Sequence, residues 1–241
     1  MFYMKVIILV FIALILFGCT SGYKKFYHQN VDARISPDVE LLQPGQEPKV
    51  FRTDNFENDI KALQEKHYIV IGYSSFNGSL EDTKNAAAQA KVIGATIVLT
   101  NSEYTDTQTT NSAIIIPNTQ TTYYGDTVVP FTTHQRRFDQ NAVYLVRSTK
   151  KFRYGISIAD LNTEKRAEIE RNTGVLIDMV FEDTPAFYSN VIAGDILISV
   201  DGQNIINVEH AEDILKYSGN SEYSILKVIR KGNEKEIKVE F

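Results

Sequence analysis

In the middle of the chain, residues 50–148, apolar side chains recur first at helical spacing and then in short continuous runs. Phe56, Ile60 and Leu63 fall on one face of a helix. An alanine-rich run that ends at Gly94 predicts a second helix, and three apolar runs predict strands. The predicted strands are Tyr68–Gly72, Thr96–Thr100 and Asn141–Arg147. A strand followed by a helix and a second strand predicts two parallel strands joined by a right-handed crossover.

Two threonine-rich stretches flank an apolar run in the same region. Thr107–Thr110 and Thr119–Thr122 lie on either side of Ala113–Asn118. Threonine and isoleucine favour strands and Pro117-Asn118 favours a turn, so we predict an exposed antiparallel ribbon. A flexible polar loop is the alternative that these residues leave open.

The last ninety residues carry the clearest pattern of strands and turns. Asp201-Gly202 favours a tight hairpin, because glycine accepts a positive φ. The run Ile196–Val200 before it is typical of a buried strand. Asn207 is a candidate cap for a helix that presents Ala211, Ile214 and Leu215 inward. Two further strands are predicted on either side of a turn at Lys231-Gly232-Asn233.

Several short motifs in this region resemble, in the same order, those of PDZ domains attached to bacterial periplasmic serine proteases. They are Arg153-Tyr154-Gly155-Ile156, Gly174–Ile177, Asp183–Ala186, Ala193–Ile196 and Val200–Gln203. The resemblance implies a PDZ domain over 150–241, a partly open β-barrel with two helices. Together with a small α/β domain of unknown function over 49–149, the predicted fold class is α+β.

The PDZ resemblance also implies a binding site. In that family a peptide C-terminus adds as an extra strand, and backbone amides hold its carboxylate. The corresponding amides here are those of Tyr154, Gly155 and Ile156. The pocket for an apolar last residue would be lined by Ile156, Ile158 and, from the helix opposite, Ile214.

Two further elements bear on this implied site. Some PDZ domains use a histidine at the start of the helix to bind a ligand Ser or Thr, and His210 lies near that position. A solvent-facing His210 is the alternative. The charged stretch 162–171 around Ile169 is a candidate segment that lies over the groove and closes it.

The chain begins with an apolar run, Val6–Phe17, that stops just before Cys19, the only cysteine. The run is shorter than the ~20 residues of a membrane-spanning helix and fits the core of a signal peptide. Leu16-Phe17-Gly18-Cys19 resembles the lipobox of bacterial lipoproteins. An uncleaved anchor and an ordinary secretory signal are the alternatives.

The lipobox resemblance implies a signal peptide over 1–18 and acyl chains such as palmitate on Cys19. Residues 19–48 would then be the lipidated N-terminus and a flexible tether, since they are rich in proline and lack a sustained period. Thr20 is not the aspartate that retains lipoproteins in the inner membrane. The implied location is the bacterial cell envelope and, in a cell with two membranes, the outer membrane facing the periplasm.

Composition narrows the possible functions. The chain has 25 Lys and Arg residues against 30 Asp and Glu residues, which gives a net charge of -5. It contains no block of basic residues, which argues against nucleic acid as a partner. A single cysteine excludes an internal disulfide, and lipidation of Cys19 would leave no thiol for a metal site or for catalysis. Asp106, Asp126 and His134 share no spacing that would assemble a metal site, so neither a metal nor a cofactor is expected.

One serine lies where a nucleophile would be expected. Ser74 in Gly72-Tyr-Ser-Ser-Phe76 is placed between a predicted strand and a predicted helix. A nucleophile elbow requires a second glycine where this chain has Phe76. The only histidines of that domain are His67 and His134, and no complete catalytic constellation is present. We therefore expect a protein that is not an enzyme.

These observations predict a membrane-anchored envelope lipoprotein that binds peptide or protein C-termini through its PDZ domain, as a non-catalytic adaptor or scaffold. One alternative is a hydrolase or regulatory subunit that uses the Ser74 loop. Another is a structural lipoprotein whose groove is closed by residues 160–171. The sequence leaves the oligomeric state and the identity of the ligand open.

Overall fold

The computed structural model describes residues 20–116, 127–217 and 222–241. The chain divides into two compact units. The first unit comprises residues 1–56 and 70–146, and the second comprises 57–69 and 147–241. Cys19 and the predicted signal peptide lie outside the described residues. Within the described ranges, no helix is long and apolar enough to cross a membrane.

The elements of the first unit are α1 (Gly22–Lys25), β1 (Tyr27–Gln29), β2 (Val39–Glu40), β3 (Lys49–Arg52), β4 (Tyr68–Gly78), α3 (Thr83–Ile93), β5 (Ile97–Ile116) and β6 (Thr127–Ser148). The helix α2 (Phe56–Glu65) follows β3 and belongs mainly to the second unit. The strands of the first unit form a mixed sheet with the order β1-β4-β6-β5-β3, and β2 pairs with β6.

The predicted alanine-rich helix is confirmed as α3. The Asp82 carboxylate accepts a hydrogen bond from the Lys84 amide at 2.9 Å and caps the first turn. Gly94 ends the helix with a φ of +79°, a conformation that glycine adopts without steric cost. Ala86, Ala90 and Ile93 are buried. The two strands that flank α3 are not neighbours, however, because β6 lies between β4 and β5.

The first threonine-rich stretch lies in β5, which forms a long antiparallel ribbon with β6. The pairing extends from Ile97↔Leu145 at the buried end to Ile116↔Thr127. Side chains from Glu103 to Ala113 are exposed, as expected for a strand pair that carries threonine on both faces. The predicted turn at Pro117-Asn118 and the second predicted stretch, Thr119–Thr122, lie outside the described residues, and the described partner of Thr107–Thr110 is Thr133–Arg136.

Residues 20–48 differ from the flexible tether that we expected. β1 pairs antiparallel with β4, so that Tyr27 lies opposite Ser74. Tyr23 is fully buried, with its ring packed edge-on against Phe76 at 5.0 Å between centroids. The Leu42 amide donates a hydrogen bond to the Gly94 carbonyl at 2.9 Å. This segment is therefore part of the first unit.

Besides α2, the elements of the second unit are β7 (Ile156–Asp160), α4 (Thr163–Glu168), β8 (Val175–Val180), α5 (Pro185–Tyr188), β9 (Ile196–Val200), β10 (Gln203–Asn204), α6 (Val208–Tyr217), β11 (Tyr223–Arg230) and β12 (Asn233–Glu240). Its strands form a sheet with the order β12-β11-β9-β8-β7, in which β10 pairs with β9. The predicted mixed α+β class is confirmed.

The core of this unit is aliphatic and lies between the sheet and α6. Its buried members include Val175, Ile177, Leu197, Ala211 and Leu226. The predicted hairpin at Asp201-Gly202 is confirmed, with positive φ angles of 50° and 83°. The unit also includes residues 57–69, which the expected boundary at residue 149 assigned to the other domain.

Candidate functional site

A groove of about 610 Å³ runs between β7 and α6 in the second unit. β7 is the last strand of its sheet, and the one described strand that pairs with it is β8. The groove is lined by Lys150, Phe152, Arg153, Tyr154, Gly155, Ile156, Ser157, Ile158, Phe181, Glu212, Leu215 and Lys216. An edge strand beside an elongated cavity can accept a further strand through main-chain hydrogen bonds.

The loop before β7 is held by its carbonyl groups. The Tyr154 carbonyl accepts a hydrogen bond from the Ala186 amide at 2.9 Å, and the Gly155 carbonyl accepts one from the Phe181 amide at 2.9 Å. The Tyr154 ring is buried, and its hydroxyl donates to Ser224 Oγ at 2.9 Å. These contacts fix the backbone at the closed end of the groove before any ligand arrives.

Gly155 occupies a position that no other residue could take without strain. Its φ is +82°, and a Cβ built there would lie 2.2 Å from Cβ and Oγ1 of Thr184, which is itself buried. A substitution of Gly155 would therefore perturb folding as well as ligand binding. The groove is better tested through side chains on α6.

Apolar side chains form the two walls of the groove. Ile156 and Ile158 on β7 and Leu215 on α6 are partly buried and pack against the aliphatic core. Each keeps some surface toward the cavity. An apolar side chain of a ligand could bury its surface between them.

The groove carries more positive than negative charge. Three cationic side chains line it, those of Lys150, Arg153 and Lys216, against the one carboxylate of Glu212. Arg153 also lies over the Phe241 ring, 4.0 Å from its centroid. This balance favours a ligand that carries a negative charge at the loop end.

Four of the residues predicted for the site line the groove: Tyr154, Gly155, Ile156 and Ile158. Two are placed elsewhere. His210 Nδ1 accepts a hydrogen bond from the Ile206 amide at 3.3 Å, and Ile214 is only 8% exposed, inside the core. The α6 residues that face the groove are Glu212, Leu215 and Lys216.

This difference arises from the phase of α6 around its axis. The helix begins at Val208, and the Asn207 side chain caps it by accepting a hydrogen bond from the His210 amide at 3.0 Å. The apolar pattern places Leu215 on one face with Ala211 and Ile214, because all three are apolar. Only its position relative to β7 separates it from the other two, and no local pattern contains that information.

The stretch 160–171 does not line the groove, contrary to the reading in which it closes the site. Ile169 packs instead on a second apolar cluster that contains Leu161, Ile196 and Ile229. The helix α4 is capped by Asn162, whose side chain accepts from the Lys165 amide at 2.8 Å. The segment is thus anchored to another part of the unit.

Ser74 lies inside strand β4, and the stretch predicted as a strand-end loop is strand as far as Gly78. The side chain is 1% exposed. Its hydroxyl donates to the Tyr23 carbonyl at 2.6 Å and lies 3.2 Å from the Tyr144 hydroxyl. Burial raises the pKa of the Tyr144 hydroxyl above its usual value.

The remaining candidate residues that the structure describes in the first unit, Asp106 and His134, are surface groups. His134 Nδ1 lies 3.0 Å from Thr109 Oγ1 on the exposed ribbon. Asp106 is exposed, and Asp126 lies outside the described residues. Among the side chains that the structure describes, no cluster of three His, Cys, Asp or Glu residues could hold a metal ion.

Residues 153–241 match the PDZ domain family. Serine protease HTRA1 of Xenopus tropicalis is 33% identical over 97 residues, a match that covers 36% of this chain and 20% of that protein. The same protease of Xenopus laevis is 32% identical over 97 residues. The chain spans about a fifth of the length of these relatives.

Solved structures of two proteins resemble part of the chain. The HtrA-type protease AlgW, solved with a decapeptide, is 14% identical with a TM-score of 0.33, over 41% of this chain and 36% of that one. The HtrA3 PDZ domain, bound to the phage-derived ligand FGRWV, is 19% identical with a TM-score of 0.32, over 38% of this chain and 84% of that one.

Proposed function

We propose that this protein, whose C-terminal residues form a PDZ domain with homology to those of HtrA-type proteases, binds the C-termini of other proteins as a non-catalytic adaptor. The observation that carries the proposal is the groove beside the edge strand β7, which ends at the Gly155 loop. A peptide that pairs with β7 extends the sheet, and main-chain hydrogen bonds supply affinity.

The residues at the two ends of the groove support one direction for the bound peptide. Its terminal carboxylate would lie at the loop, near the amides of Gly155 and Ile156 and close to Arg153 and Lys150. Its last side chain would enter the apolar space between Ile158 and the α6 helix. The excess of cations supports a carboxylate ligand because opposite charges attract more strongly in a partly desolvated site.

Replacement of Leu215 by asparagine tests this assignment. Loss of the apolar wall is expected to weaken binding of a valine-terminated peptide roughly tenfold, the cost of exposing part of one aliphatic contact. The matched control is Asp213→Asn, which introduces the same residue on an exposed position of the same helix. Dissociation constants would be measured by fluorescence polarisation, with thermal unfolding to verify that both variants fold.

Equal affinities of the two variants would exclude the β7–α6 groove as the peptide site. Selective weakening in Leu215→Asn, with Asp213→Asn unchanged, is the result that the proposal requires.

The second part of the proposal is a lipid anchor at Cys19, which would place the adaptor in the bacterial cell envelope. Support comes from the sequence alone, where an apolar run leads into Leu16-Phe17-Gly18-Cys19. A single acyl chain gives only marginal membrane binding, whereas two or more hold a protein firmly. Confinement to a membrane surface would raise the local concentration of binding sites for neighbouring envelope proteins.

The anchor is tested by expressing the full chain and its Cys19→Ala variant in a bacterium with two membranes. Labelled palmitate is expected in the wild-type protein and absent from the variant. The wild-type protein should also fractionate with the outer membrane. Equal labelling of the variant, or an unlabelled wild-type protein, would contradict lipidation at this cysteine.

A further inference from the structure

Regular structure is established at Ser21, only two residues after Cys19, the cysteine proposed to carry the lipid. The Ser21 side chain caps α1 by accepting a hydrogen bond from the Lys24 amide at 3.3 Å. The Ser21 carbonyl accepts another from the Lys25 amide at 2.9 Å. Two residues of extended chain span at most about 7 Å, so Ser21 lies no farther than this from Cys19.

Contacts with β4 and with the segment before α3 fix α1 to the first unit. The Gly22 amide donates to Glu81 Oε1 at 2.7 Å, and the Phe76 ring leaves no room for a side chain at Gly22. Tyr23 is fully buried, and its carbonyl accepts a hydrogen bond from Ser74 Oγ at 2.6 Å. The beginning of α1 is therefore part of the folded unit and does not act as a tether.

Apolar and cationic side chains are exposed beside this point of attachment. Phe26, which follows α1, is 40% exposed although its ring stacks on that of Phe76. Leu80, in the segment before α3, is 58% exposed. Lys24 and Lys25 are exposed on α1, and Lys25 Nζ lies 5.1 Å from the centroid of the Phe26 ring. We call Lys24, Lys25, Phe26 and Leu80 the α1 surface.

The two carboxylates in the segment before α3 already have hydrogen-bond donors within the unit. Glu81 accepts from the Gly22 amide at 2.7 Å and from Asn85 Nδ2 at 2.9 Å. Asp82 caps α3. Among the residues that the structure describes, no carboxylate forms an ion pair with either lysine of the α1 surface. Their ammonium groups are therefore available to the phosphate groups of lipids.

A lipid anchor at Cys19 would bring the α1 surface to the bilayer. The headgroup layer on each side of the hydrocarbon core is about 5–8 Å thick, which is similar to the reach of two residues. Aromatic and aliphatic side chains bind at the boundary of headgroups and acyl chains, and lysines beside them attract lipid phosphates. The α1 surface combines both kinds of side chain, and the short connection places it at that boundary.

We infer that the α1 surface binds the phospholipid bilayer that holds the acyl chains of Cys19. The first unit then lies directly on the membrane, without a flexible spacer. This inference rests on the proposed lipid anchor. It adds a second membrane contact, made by side chains of the folded unit.

Tryptophan fluorescence tests the contact, because the chain has no tryptophan and an introduced one reports on a single position. Phe26→Trp is the test variant. Phe51→Trp is the matched control, because Phe51 is also a half-exposed phenylalanine, at 48%. It lies on β3, at the edge of the sheet opposite to β1, which follows α1. Four strand spacings, roughly 19 Å, separate these two edges.

Each variant is purified from bacterial membranes with its acyl chains, which intact mass spectrometry verifies. It is then reconstituted into vesicles of phosphatidylglycerol and phosphatidylcholine with brominated acyl chains, which quench tryptophan at short range. Phe26→Trp is expected to lose roughly half of its fluorescence, because interfacial aromatic side chains lie at the headgroup–acyl boundary. Phe51→Trp should lose almost none. Leu80→Trp is a second reporter on the α1 surface and should be quenched like Phe26→Trp.

The two proposals fail in different ways. If the acylated Phe26→Trp and Leu80→Trp proteins are quenched no more than Phe51→Trp, the inference is overturned while the anchor stands. If mass spectrometry finds no acyl chains on the purified protein, the proposed anchor fails and the inference fails with it.

Discussion

Replacement of Arg230 by methionine is expected to lower the free energy of unfolding of the second unit by about 3–5 kcal/mol, the cost of leaving a buried charge without its partner. The partner is Asp195, which is fully buried, whereas the Arg230 side chain is 14% exposed. Arg230 Nε and Nη2 donate to the two oxygens of the carboxylate, each at 2.6 Å. This bidentate hydrogen bonding raises the pKa of Arg230.

The ion pair also organises the turn that precedes β9. The Ile192 amide donates to Asp195 Oδ2 at 3.1 Å, and Arg230 Nη2 donates to the Asn190 carbonyl at 2.8 Å. Asn190 has a φ of +60°, which an L-residue holds only where its surroundings require it. Loss of the guanidinium would therefore remove a hydrogen bond that holds the turn and would leave the Asp195 carboxylate without its cationic partner.

The measurement is amide hydrogen exchange of β9 and β11 in the full chain, which reports on the second unit separately from the first. The chain contains no tryptophan, so its intrinsic fluorescence does not provide this separation. Lys238→Met is the control, because it breaks an exposed pair with Glu240 and should change exchange little. If Arg230→Met changes stability no more than this control, the buried pair is not structurally important.

The fold of the second unit could be predicted because its turns and caps are set by neighbouring residues. The residue pairs Asp201-Gly202 and Lys231-Gly232 both adopt positive φ angles at hairpins. Asn207 caps α6 as expected. Each of these features depends on a few consecutive residues, and a single sequence contains them in full.

The fold of residues 20–48 could not be predicted, because its contacts are distant in sequence. Tyr27 packs edge-on against Tyr144 at 5.6 Å between centroids, and Phe26 stacks on Phe76 at 5.9 Å. The proline content and the lack of a hydrophobic period predict a tether, but packing of aromatic rings orders the segment. A few packed rings, of which that of Tyr23 is fully buried, suffice to order a short segment, because each removes apolar area from water.

The candidate site could be predicted only in part, because one of its two sides depends on contacts that are distant in sequence. The β7 side follows from the local motif Arg153-Tyr154-Gly155-Ile156, and those residues that were assigned from it line the groove. The α6 side depends on how the helix is rotated against β7. This is a long-range arrangement that periodicity does not encode.

The central claim is that the β7–α6 groove binds a free peptide C-terminus. It is tested most directly by titrating the full chain in detergent with one peptide as its free acid and as its amide. Charge-assisted hydrogen bonds to a carboxylate contribute about 1.5–3 kcal/mol, so amidation should weaken binding roughly 10- to 100-fold. That result, with the loss of affinity reproduced by Leu215→Asn, is what the groove predicts. Equal binding of acid and amide would show that the protein does not recognise C-termini and would contradict the account.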